Sequence, residues 1–123
     1  MLISFKLPPI VNANCVYSIN NIYVHEDEFV ERGKKLLDIR VDLQSTLQHD
    51  CPSINFYRLV AQESSWLKKL YVYSGQRVDV DFLMGIFSTE VSEFFTPDVH
   101  PRRSMRLGYA GIIHEADWYN LDK

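Results

Sequence analysis

The chain has 123 residues, 46% of them hydrophobic and 24% charged, which suits one compact domain with its own core and is too short for two. A formal charge of −3 and a pI near 5.7 give no basic field for phosphate backbones, so nucleic acid is not an expected partner. No stretch approaches the run of about 20 apolar residues that spans a bilayer, so a membrane is not one either. Residues 1–8 lack the basic region and unbroken apolar run of an export signal. A cytoplasmic setting is therefore expected, with Cys15 and Cys51 as reduced structural thiols.

Strand signals dominate in chain order. Ile3, Phe5 and Leu7 alternate with Ser4 and Lys6, the period of a half-buried strand, and Pro8 and Pro9 end it. A second strand is expected over residues 16–24. The clearest covers 37–43, where Leu37, Ile39, Val41 and Leu43 share one face while Asp38, Arg40 and Asp42 share the other. Further strands are expected over 54–60, 67–73 and 83–87, with at most one helical turn near 91–95, and residues 107–114 have the apolar content of one more strand or of a segment lying on the sandwich edge. Many short strands between polar turns predict an all-β flattened barrel or sandwich of two small antiparallel sheets. Val30, Ile39, Val41, Leu70, Val78 and Leu83 are expected in its core.

A weak internal repeat runs through this pattern. Sliding residues 24–39 onto 72–87 pairs Val24 with Val72, Val30 with Val78, Leu36 with Met84 and Ile39 with Phe87. Two such halves suggest a pseudo-symmetric sandwich in which each buries the other's apolar face.

Residues 24–43 read VHEDEFVERGKKLLDIRVDL, with Val30 and Gly33 forming V-x-x-G and Leu36 the apolar position after it. The later stretch SWLKKLYVYSGQRVDVDFLM places Gly75, Val78 and Leu83 at similar spacing. Together with the opening MLISFKLP, this resembles the biotinyl/lipoyl domain family, particularly the lipoyl domains of 2-oxo-acid dehydrogenase acyltransferases. The resemblance covers residues 1–87 and implies a lipoyl-like barrel-sandwich hybrid, followed by an extension over 88–123 within a single domain.

The departures from the family pattern carry the functional expectation. The family's cofactor lysine sits at the tip of a tight hairpin, and counting from Gly33 its place falls on Asp42-Leu43. Leu43 has no amine to form an amide with lipoate or biotin, so no cofactor is expected. The chain between Asp42 and Ser65 is longer than the family's and contains no lysine, while Lys68 and Lys69 belong to a later strand. Asp27 and Asp81 stand where two turn glycines are expected. Aspartate tolerates left-handed backbone, so the turns are expected to survive.

No other chemistry is marked. His25, His49, His100 and His114 lack the spacing of a zinc motif, although His49-Asp50-Cys51 and His114-Glu115 with Asp117 are possible ligands. Cys51, Ser64 and Ser65 have no nucleophile context, and Glu26, Asp27 and Glu28 read as a solvated turn. Arg102, Arg103 and Arg106 fit a solvated loop or, less simply, an anion site. The chain is thus expected not to be an enzyme, and no metal site is expected.

The expected function is a non-catalytic protein–protein interaction module, such as a small inhibitor, an immunity protein or an assembly subunit. The alternatives are a carrier or adaptor domain related to secretion and efflux membrane-fusion proteins, or a small metal- or ligand-binding domain. The candidate partner-binding residues are His49, Asp50, Ile54, Phe56, Tyr57 and Arg58 in the lengthened hairpin, and Trp118 and Tyr119 near the end. Phe56 and Tyr57 admit a second reading as successive residues of a strand. Trp118 and Tyr119 fit a cover over the core as well as a recognition patch. Oligomeric state is left open.

Overall fold

The computed structural model describes residues 1–11, 14–43, 54–96 and 100–112. They contain no helix and ten strands: β1 (Leu2–Lys6), β2 (Cys15–Ile22), β3 (Phe29–Val30), β4 (Lys35–Leu43), β5 (Ile54–Ala61), β6 (Ser65–Leu70), β7 (Arg77–Val78), β8 (Leu83–Ser88), β9 (Arg103–Ser104) and β10 (Leu107–Ile112). One sheet has the order β3-β6-β8-β1-β9 and the other β10-β5-β4-β2-β7. All pairings are antiparallel except β9, which runs parallel to β1. The sheets stay separate and form a flattened sandwich, not a closed barrel.

Alternation explains the core. On β4, Leu37, Ile39 and Val41 are fully buried, and a bulge beside Lys35 turns Leu36 inward as well. On β1, Ile3 and Phe5 fill the opposite wall, where Phe5 meets Phe87 edge-on at 5.6 Å. Val30, Ile39, Val41 and Val78 are buried as expected. Leu83 is a correction, since it is only partly buried, and Leu70 packs against the core from a partly buried position and does not lie within it.

The repeat explains those two exceptions. All eight of its paired apolar residues are buried, and a shift of 48 positions carries β2-β3-β4 onto β6-β7-β8. That shift maps Leu83 onto exposed Lys35 and Leu70 onto partly buried Ile22, positions that neither half turns fully inward. The turns match too. Asp27 (φ 68°) and Gly33 (φ 94°) in the first half correspond to Gly75 (φ 90°) and Asp81 (φ 68°) in the second. Each half therefore spends one glycine and one aspartate on left-handed turn positions, with their order exchanged. The turn bonds repeat as well. Asp27 N–H donates to the Leu67 carbonyl and Gly75 N–H to that of Ile19, both at 2.7 Å.

The described residues beyond 88 are part of the sandwich. No helix forms near 91–95, in keeping with the expectation of at most one helical turn there. Thr89 N–H donates to the Met1 carbonyl, and Met1's ammonium binds Glu93 at 2.7 Å, which fixes this stretch beside β1 without helix. The chain then adds β9 to one sheet and β10 to the other, with Met105 buried between them. Ser4, expected on a solvent face, is only 6% exposed because its hydroxyl donates to the Arg103 carbonyl at 3.2 Å. Leu2 and Ile86 flank it on the same face and are buried too. Arg103 forks onto Glu63 at 2.6 and 2.7 Å, clamping the extension to the β5–β6 turn and pulling the Glu63 carboxyl below its ordinary range.

Candidate functional site

The β4–β5 hairpin carries most of the residues expected to bind a partner. Its register sets Asp38 opposite Arg58, Arg40 opposite Phe56 and Asp42 opposite Ile54, all on the outer face. Between them, Ile39 faces Tyr57 and Leu37 faces Leu59 on the inner face. Tyr57 therefore packs against the core, and Phe56 lies half-buried on the other side. The strand reading of this pair is the one observed. Ile54, at the hairpin's far end, is 40% exposed.

Leu43 is the last residue of β4. It lies opposite Cys15 and packs partly buried against the core, so the position expected to hold the family's lysine lies within a strand. His49, Asp50 and Cys51, in the connection from β4 to β5, lie outside the described residues, as do His114, Trp118 and Tyr119.

The outer face of this sheet also holds a polar network that the sequence reading did not identify. Asp38 is only 2% exposed. Arg58 Nε donates to its Oδ1 at 2.9 Å and Nη2 to its Oδ2 at 3.3 Å. Tyr23 Oη and Asn21 Nδ2 also donate to Oδ2, and Lys35 Nζ stands 4.2 Å from the centre of the Tyr23 ring. Burial alone would push the Asp38 carboxyl up, but the bonds from Arg58 and Tyr23 outweigh it and hold it below the ordinary carboxylate range. Burial and the neighbouring Asp38 push the Tyr23 phenol up. With both oxygens of Asp38 engaged and Tyr23 kept protonated, the network holds β4, β5 and the chain after β2 together and leaves no poised base. Its sequence signal exists only as a register: an aspartate and an arginine that meet across the hairpin.

The remaining candidates are dispersed. Glu28 binds Lys34 at 2.6 Å and His25 at 3.3 Å, while Glu26 and Asp27 are exposed in the same turn. Ser64 Oγ accepts the Arg32 N–H at 3.0 Å. Ser65 Oγ is buried without a partner among the described residues. Of the three arginines beyond residue 100, Arg103 is paired, and Arg102 and Arg106 are exposed. Cys15 is a free, half-buried thiol. Among the described residues, no group of three His, Cys, Asp or Glu side chains is placed to hold a metal, and no helix is long and apolar enough to cross a membrane. No family model, curated protein or solved structure matches the chain.

Proposed function

We propose that this chain is a non-catalytic, unmodified interaction module of lipoyl-like architecture, and that it contacts another protein through the hairpin end of its second sheet. The observation that carries the reading is an asymmetry. β4 runs to Leu43 and pairs with β5, which begins at Ile54, whereas its counterpart β8 ends at Ser88 and the chain turns into the extension. The elaborated end places Ile54 and Phe56 on an outer face beside the Arg40–Asp42 pair, whose closest atoms are 3.3 Å apart. Apolar residues with polar neighbours are the composition of an interface with a rim.

Leu43 at the family's lysine position supports an unmodified module. The repeated left-handed turns at Asp27, Gly33, Gly75 and Asp81 support the lipoyl-like reading. The acidic balance and small size are compatible with an inhibitor or immunity protein and equally with an assembly subunit, acting in the cytoplasm.

Expressed together with active lipoate and biotin ligases, the chain should keep its unmodified mass by intact mass spectrometry. An adduct on Lys68 or Lys69 would overturn the unmodified module and restore a carrier. Co-purification from the native host with identification of bound chains then supplies the partner.

A further inference from the structure

The four edges of the two sheets are unequal. β3, β7 and β9 span two residues each, while β10 spans six. Sheets blunt long edges with charge, proline, bulges or shortness, because an open edge is a template for another strand. β10 has none of these devices: it reads Leu-Gly-Tyr-Ala-Gly-Ile. Among the described residues no strand pairs with its outer side. Tyr109 is 48% exposed, and Ala110 and Gly111 are exposed beside it.

The open side can be assigned atom by atom. The Arg106 carbonyl accepts the Gln62 N–H at 3.1 Å, so it points toward β5. Strand alternation then turns the N–H and C=O groups of Leu107, Tyr109 and Gly111 outward.

We propose that β10 pairs antiparallel with β10 of a second copy, about a twofold axis at Ala110. An axis relating two such edges stands perpendicular to the sheet, so facing residues must project to the same side. Centring on Ala110 sets Tyr109 opposite Gly111 of the second copy on the inner side. On the outer side it sets Gly108 opposite Ile112 of the second copy and the two Ala110 residues opposite each other. On the inner side Tyr109 thus meets a glycine, as Tyr57 already lies along Gly111, where an added Cβ would sit 3.7 Å from Cε1; on the outer side the flexible Gln62 side chain lies over Gly108 and has to move aside for Ile112 of the second copy. The outward groups of Tyr109 and Gly111 exchange both hydrogen bonds in each pair. A strand without charge sets no like charges against each other, and the same six residues supply both halves, which is why the occupant is a second copy and not a foreign peptide. The contact is isologous, so it closes at two copies and consumes the long edge.

The test is the mass of the full chain in solution by analytical ultracentrifugation. Wild type should be a dimer. Tyr109→Pro removes an outward N–H that the β5 ladder does not use, so it should give a folded monomer. Ala110→Lys and Ala110→Glu each face their own charge across the axis and should raise the dimer dissociation constant about tenfold or more. An equimolar mixture of these two should recover the dimer, a rescue that unfolded chains cannot give. Arg58 lies opposite Ala110 on β5, so melting of each variant is followed in parallel. A monomeric wild type, a dimer indifferent to the charge variants, or folded charge variants that do not pair when mixed would each overturn the proposal.

Discussion

Ile39→Ala is expected to lower the free energy of unfolding by about 2–5 kcal/mol, and Phe87→Ala by about 3–5 kcal/mol. The two positions correspond under the repeat, one on each sheet, and both are fully buried. Truncating either removes apolar contact and leaves a cavity between walls that the opposite sheet holds apart. Phe87 also loses its edge-on contact with Phe5. For a domain whose total stability is about 5–15 kcal/mol, either loss is a large fraction. Urea unfolding with an unchanged slope is the measurement. Leu70→Ala and Leu83→Ala serve as controls and should cost less, because both side chains keep access to water. Equal losses at all four positions would contradict the two-layer core.

Asp38→Ala is the second large effect. Removing one member of a buried pair costs about 3–5 kcal/mol, and the figure here belongs at the low end because the Arg58 side chain is 34% exposed. Replacing both residues by leucine should recover much of the loss, since no charge is then left under-solvated. The pair also sets an acid dependence. The Asp38 carboxyl is held below its unfolded value, so its contribution is complete above that value and is lost as pH falls through the folded one. An unfolded aspartate titrates near pH 4, so wild type should weaken below about pH 4, and Asp38→Ala should weaken less steeply there. Glu63, lowered by Arg103, adds to the same slope and remains in the variant. Identical acid slopes for the two proteins would show that Asp38 is not held ionised by Arg58.

What the sequence disclosed follows from which interactions are local. The alternation in β4 and β1 showed both strands, because a period of two is a property of consecutive residues. The repeat was legible for the same reason, and its eight apolar positions all reached the core. Burial that depends on distant chain was not legible. Asp38 reads as a solvent-facing acid until the hairpin register brings Arg58 across from it. Ser4 reads the same way until Arg103 closes over it. The bonds from Met1 to Thr89 and Glu93 were not legible either, because they join residues far apart in sequence. Of the candidate interface, the alternation of Phe56 and Tyr57 was legible, and the register puts Tyr57 opposite Ile39 on the inner face and Phe56 opposite Arg40 on the outer one.

Once a partner is identified, the most direct measurement is its affinity for a chain in which residues 44–53 are replaced by a two-residue turn. Shortening that connection lowers closure entropy only slightly and leaves β4 and β5 paired, so the melting temperature should stay near that of wild type. The proposed interaction surface requires that affinity be lost in this folded variant. Unchanged affinity would contradict it and move the partner away from the hairpin.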